Sequence, residues 1–212
     1  MNFFDIGSKK KHARKVNSVP FSFIAIFDCA TVTKYLEIHV GIHVSEFCEK
    51  WLEIVLSKQA DAIIIRDSGK TETLFDEALA FLIQHRPEHI PILCNHRSQI
   101  WIPGTNGVHY KRGSKREFPA EKGYAGVSAH STEGCFDAAA QNFDYVFISP
   151  IFETQSHPGQ KGLGLDKLSR ICASVDIPVF ALGGITEANR HACKVSGAKG
   201  TASISLFMPK DA

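Results

Sequence analysis

From Phe21 onward, short apolar runs alternate with amphipathic stretches along the chain. Phe21–Phe27 (FSFIAIF), Ala62–Arg66 (AIIIR), Pro91–Asn95, Gly107–Tyr110, Gly126–Ala129, Tyr145–Ser149, Pro178–Leu182 and Thr201–Leu206 read as strands. Helical spacing marks the stretches between them. Phe47, Trp51, Ile54 and Val55 share one face of a helix predicted over Val44–Gln59. Leu74, Phe75, Ala78, Phe81 and Leu82 do the same over Thr71–His85, with Thr71 as its cap. Further helices are predicted over Thr132–Gln141, Leu165–Ser174 and Thr186–Val195, whereas Trp101–Asn106 leaves no room for one before the fourth strand. Strands that are apolar at nearly every position are buried on both faces, as in a parallel sheet covered by helices. Eight of them in 212 residues favour an α/β fold of a single domain, a closed (β/α)8 TIM barrel, over an open doubly wound sheet.

Composition narrows this little: 44% hydrophobic and 22% charged residues are ordinary for a globular protein. Charge adds more. Residues 1–20 hold Lys9, Lys10, Lys11, Arg14 and Lys15 against Asp5, so a net +2 for the chain leaves the remainder at −2. We expect residues 1–20 to be a disordered basic tail with solubilising charge, and residues 21–208 to be the barrel. The tail lacks the apolar core of a secretory signal, and no apolar run is long enough to span a membrane. Neither a nucleic-acid nor a membrane partner is expected. The six cysteines form no CxxC pair, and several sit in apolar segments such as Ile92-Leu93-Cys94. Reduced, packing thiols in a cytoplasmic protein are the expectation, with no zinc site.

In a parallel barrel, ligands meet the loops that follow the strands. After the seventh strand come Gly183 and Gly184, and at the end of the eighth come Ser203, Ile204 and Ser205. Paired glycines let backbone N–H groups approach an oxyanion, each charge-assisted bond contributing roughly 1.5–3 kcal/mol. This predicts a phosphate cradle at Gly183, Gly184, Ile204 and Ser205. The sixth strand is followed by a long, polar, glycine-rich segment, Ser149–Gly162. It offers the hydroxyls of Thr154 and Ser156 and the cations His157 and Lys161, as a loop over a site would.

These residues carry a resemblance. Ser149–Thr154 with Ser156, Ala181–Thr186, and Gly197–Gly200 with Ile204 and Ser205 resemble thiamine-phosphate synthase and its thiazole tautomerase relatives. Asn95, Gly107-Val108-His109 and Gly126-Val127-Ser128 with His130 extend the likeness, which runs from about Ala60 to Phe207. It implies a (β/α)8 barrel that joins a thiazole phosphate to hydroxymethylpyrimidine pyrophosphate and releases pyrophosphate. On that reading Arg66 and Asn95 contact the pyrimidine pyrophosphate, and Thr154, Ser156 and His157 hold its leaving group. Ser128 lines the pyrimidine pocket, with His130 and Lys161 as further substrate-binding candidates.

The chain also departs from the family. Of its Gln-x-Arg-x-Lys pattern after the second strand only Arg66 is kept, beside Ile64 and Ser68. The resemblance implies magnesium held by two aspartates, but His96 and Ser114 stand at their positions. Magnesium prefers carboxylate and water oxygens. The same region gains Lys111, Arg112, Lys115 and Arg116, which could replace the metal as a clamp on pyrophosphate. A tautomerase, which needs no metal, carries a histidine where this chain has Pro150. A non-catalytic binder of thiamine or thiazole phosphate is the third reading, and an unrelated sugar- or indole-phosphate barrel the fourth. The oligomeric state is open.

Overall fold

The computed structural model describes residues 19–67, 72–95, 101–117, 119, 122–154, 159 and 161–210. Eight parallel strands pair in chain order and close on themselves: β1 (Phe23–Asp28), β2 (Ala62–Arg66), β3 (Ile92–Asn95), β4 (Gly107–Tyr110), β5 (Tyr124–Ala129), β6 (Tyr145–Ile148), β7 (Val179–Ala181) and β8 (Gly200–Ser203). Six helices flank them: α1 (Cys29–Ile38), α2 (Val44–Ser57), α3 (Glu72–His85), α4 (Thr132–Ala140), α5 (Gly164–Ser174) and α6 (Arg190–Val195). This is the expected (β/α)8 barrel, with no α-helix after β3 or β4 among the described residues.

Period-two alternation sorts each strand into an inner and an outer face. Outward, Phe27 packs on Phe47 and Trp51 of α2. Another outer cluster joins Val108, Tyr110, Val127, Val146, Ile148 and Val179 to helices α4–α6. Inward, Ile24, Ile26, Ile64, Leu93, Phe147, Phe180 and Ala202 fill the barrel. Phe21 closes its base, edge-on to Tyr124 and Tyr145 at 5.4 and 5.5 Å between ring centroids. Val19, within the span read as tail, is buried in the same cluster. Residues 1–18, and Thr71 with its capping role, lie outside the described residues.

Three local differences from the sequence reading have physical causes. Helix α1 is additional: its β-branched Thr31, Val32 and Thr33 mask a helical pattern, yet Asp28 caps it by accepting from the N–H and hydroxyl of Thr31 at 3.1 and 2.6 Å. Helix α6 starts at Arg190 rather than Thr186, because Thr186 and Asn189 bond one another reciprocally. Such side-chain bonds compete with helix formation. Strand β8 ends at Ser203, whose Oγ accepts from Leu206 N–H at 3.2 Å and turns the chain into a 3₁₀ helix over Ser205–Phe207.

Candidate functional site

At the C-terminal ends of the strands the inward positions turn from apolar to polar. Asp28, Arg66 and Asn95 lie side by side in strand register, Asp28 opposite Arg66 and Arg66 opposite Asn95. Asp28 and Asn95 are buried, and Arg66 is about half exposed. The carboxylate of Asp28 faces Arg66 Nε at 3.6 Å. That pairing holds one edge of the guanidinium and leaves its terminal nitrogens for an anion in the mouth. Asp28 is a site residue that sequence reasoning passed over. Its signal was a charged residue ending an otherwise apolar run, FSFIAIFD, in the part of the chain where the resemblance is weak. Asp67, also passed over, is buried directly after β2, and its N–H donates to Asn95 O at 3.0 Å.

Next around the barrel come β4 and β5. His109 is buried inside the barrel between the Nδ1 contact to Tyr145 Oη at 3.0 Å and the Nε2 contact to Ser128 Oγ at 2.9 Å. Burial, reinforced by the positive field of Arg66, pushes its pKa down to about 3. Burial likewise raises the Tyr145 hydroxyl well above its usual range, so both groups are neutral near pH 7. Ser128 is half-buried at the mouth. His130 is exposed on the rim, its Nδ1–H donating to Ser149 O at 2.7 Å.

Gly183, Gly184, Ile204 and Ser205, the candidate phosphate cradle, lie on a pair of loops after β7 and β8. Gly183 and Gly184 have φ of +94° and +63°. A Cβ on Gly183 would lie 2.8 Å from Pro150 Cα, and one on Gly184 would overlap the Glu153 carbonyl. The glycines therefore seat the segment after β6, tied down by Ile151 N–H to Leu182 O at 2.9 Å and Phe152 N–H to Gly183 O at 3.1 Å. Among the described residues nothing accepts from the N–H groups of Gly183, Gly184 or Ile204. The helix N-terminus expected at Thr186 is not available: that N–H donates to Asn189 Oδ1 at 2.8 Å. The start of the 3₁₀ helix at exposed Ser205 borders the cradle instead. Loops after the last two strands joined by a short extra helix are the recurrent phosphate site of parallel barrels.

The segment after β6 is also fastened at its far end, by Leu163 N–H to Pro150 O and Gly164 N–H to Ile151 O, both 2.9 Å. Thr154 is half-buried and Lys161 exposed on this segment, while Ser156 and His157 lie outside the described residues. Lys111 and Arg112 are exposed immediately after β4. Arg116, read with them as part of a cationic cluster, belongs elsewhere. Its guanidinium is paired with Asp144 at 3.1 Å and bonded to the Asn142 carbonyl at the base of β5 and β6. Without a helix after β4, the connection runs from mouth to base within a few residues, which adjacency in sequence hides.

Among the described residues no group of three His, Cys, Asp or Glu side chains could hold a metal ion. Of the two positions at which magnesium-binding aspartates were expected, His96 lies outside the described residues, and Ser114 brings no carboxylate. This donor set does not fit magnesium. All six cysteines are free, five of them buried. Burial raises Cys48 and Cys94 to about 12 and Cys135, Cys172 and Cys193 to about 11, which makes them packing groups rather than nucleophiles. No described helix is long and apolar enough to cross a membrane.

The comparisons agree with this geometry. A protein of Aquifex aeolicus named "Putative thiamine-phosphate synthase 2" is 34% identical over 165 residues, covering 74% of this chain and 88% of the relative. The thiamine-phosphate synthase of Chloroflexus aurantiacus is 31% identical over 150 residues, 68% of this chain and 69% of the relative. The solved structure of thiamine phosphate pyrophosphorylase from Pyrococcus furiosus shares the fold with a TM-score of 0.65 at 23% identity, over 90% of this chain and 89% of that one. The sequence profile described as thiamine monophosphate synthase matches residues 38–207, and the chain therefore belongs to the thiamine monophosphate synthase family.

Proposed function

We propose that this protein carries out the thiamine-phosphate synthase reaction, joining a thiazole phosphate to hydroxymethylpyrimidine pyrophosphate in thiamine biosynthesis. The observation that carries the reading is the division of the mouth. Arg66, held by Asp28, stands with Asn95 and Ser128 on one side, and the donors of Gly183, Gly184 and Ile204 stand on the other.

The pyrimidine pyrophosphate binds on the side of Arg66, Asn95 and Ser128, with Lys111 and Arg112 on its pyrophosphate. The thiazole phosphate occupies the cradle of Gly183, Gly184, Ile204 and Ser205. The bond between the pyrimidine methylene carbon and the pyrophosphate oxygen breaks, its electron pair leaving with pyrophosphate. The thiazole nitrogen then donates its lone pair to the cationic methylene, forming the carbon–nitrogen bond of thiamine phosphate. The leaving group gathers negative charge in this step, and preorganised cations and hydroxyl donors stabilise it. Arg66, Lys111 and Arg112 supply the charge, and Thr154 and Lys161 of the segment after β6 add a hydroxyl and a further cation. His130 stands at the pyrimidine rim. No step is assigned to magnesium, because the donor set does not fit it. We place the protein in the cytoplasm, in keeping with its free thiols and biosynthetic family.

The tautomerase reading lacks the histidine that Pro150 replaces, and His130 or His157 would have to take over its proton transfer. Calorimetry with thiazole phosphate and thiamine phosphate, with and without added magnesium, tests the assignment, together with turnover of the two substrates. Binding of both ligands and magnesium-independent condensation are expected. Tight binding without turnover would mean a binder, and no binding of either would leave the assignment without content.

A further inference from the structure

The hydrogen-bond chain from Tyr145 through His109 to Ser128 is enclosed by the barrel, and only its Ser128 end reaches the mouth. We infer that Tyr145 locks His109 in the Nε2–H tautomer, and that this makes the Ser128 hydroxyl an obligate donor to a hydrogen-bond-accepting atom of the bound ligand. The inference rests on the proposed function for the ligand's identity, an unprotonated ring nitrogen of the pyrimidine. The tautomer itself stands on the structure alone.

The direction of the chain follows from counting protons. Tyr145 is fully buried, edge-on or tilted against Phe21, Phe147 and Phe180. Its hydroxyl carries one proton, and the neighbour among the described residues able to accept it is His109 Nδ1. If Nδ1 carried a proton instead, it would donate to the tyrosine oxygen. The phenolic proton would then face apolar rings without an acceptor, the costly arrangement for a buried donor. With the phenol as donor every group is satisfied: Nδ1 accepts, Nε2–H donates to Ser128 Oγ, and the serine proton is left over. No described residue accepts that proton, and Ser128 is half-exposed to the mouth.

Protonated histidine would alter the direction, so the charges around it matter. Arg66 is the cation whose field reaches His109, and it opposes a second positive charge there. Tyr145 is the other titratable group in contact, and it is a neutral phenol. Gly126 makes the arrangement possible, because any Cβ there would overlap the Tyr145 ring. A ligand that presents a donor, or a carbon, over Ser128 leaves the hydroxyl proton unpaired. Tyr145 is thus a positioning residue and Ser128 the group that selects.

Two-bond nitrogen–proton NMR on the ligand-free full chain, with labelled histidine and His109→Gln for assignment, reads the tautomer directly. The expected result is an Nε2–H imidazole at position 109 that does not titrate between about pH 5.5 and pH 8.5. An Nδ1–H tautomer, or titration in that range, overturns the inference. Binding of hydroxymethylpyrimidine pyrophosphate then reads the ligand side. Ser128→Ala and Tyr145→Phe should each weaken it about tenfold, the double variant no further, and thiazole phosphate binding should stay unchanged. Additive losses overturn the coupling, and unchanged affinity in Ser128→Ala overturns it even if Tyr145→Phe does not fold. Failure of the unmodified protein to bind the pyrimidine substrate, with the Nε2–H tautomer present, refutes the proposed function and the ligand half of the inference, while the locked tautomer stands.

Discussion

Two residues show how much the barrel interior depends on single atoms. Gly126 has no Cβ because the Tyr145 ring occupies that space, and the ring cannot retreat: Phe21, Phe147 and Phe180 pack around it. Gly126→Ala is expected to cost about 1–3 kcal/mol, the usual range for overpacking a filled core. Urea denaturation measures it, and an unchanged midpoint would show that the ring moves freely. His109 gives a pH signature of the same interior. Its pKa is about 3 in the fold, against 6.5 for an unperturbed histidine. Between those values the unfolded chain binds a proton that the folded chain excludes. Stability therefore falls as pH drops from about 6.5 toward 3, by up to about 1.4 kcal/mol per pH unit from this group. Above pH 6.5 the histidine contributes no slope. His109→Gln should flatten the loss between pH 7 and pH 5 relative to the unmodified protein, the other titrating groups being common to both. Equal losses would mean that His109 is protonated in the fold.

Elements were legible in the sequence wherever burial alone decides conformation. The strands are apolar on both faces, so β2 and β4 fall where their hydrophobic runs do, and Arg66 and Asn95 mark the ends that face the site. Legibility failed where side chains bond the backbone locally. Asp28 caps a helix of poor intrinsic propensity, and Asn189 with Thr186 holds a turn in place of a helix start. The glycine pair reads in sequence as a close-approach device, but its partner, the segment after β6, is visible only in the fold. This separates two roles at one element. Gly184→Ala should push that segment off the cradle, because the added carbon meets the Glu153 carbonyl and the residue is held at φ +63°. The expected outcome is at least a tenfold loss of thiazole phosphate affinity by calorimetry, with the unfolding midpoint changed far less than by Gly126→Ala. Retained affinity would mean that the phosphate lies elsewhere.

At the scale of the whole molecule the mouth is electrically divided. Arg66, Lys111 and Arg112 gather on the side of β2 to β4, whereas the side of β7 and β8 offers uncharged N–H donors. Arg116, though close in sequence, is spent on Asp144 at the opposite end of the barrel. The division makes the two substrates separable by mutation and by salt. Attraction to exposed cations is screened over roughly 8–10 Å at ordinary ionic strength, while hydrogen bonds from fixed backbone donors depend on salt far less. Replacing Lys111 and Arg112 together with alanine should raise KM for the pyrimidine pyrophosphate about tenfold or more and flatten its dependence on salt. Thiazole phosphate KM should stay within about twofold, since no charged contact to it is lost. Arg116→Ala serves as the contrast: it breaks an ion pair buried at the barrel base, so it should lower the unfolding midpoint and leave both KM values nearly unchanged. If the Lys111 and Arg112 variant instead affected both substrates equally, the two halves of the mouth would not act on separate ligands, and the division of labour between cation and backbone donor would be wrong.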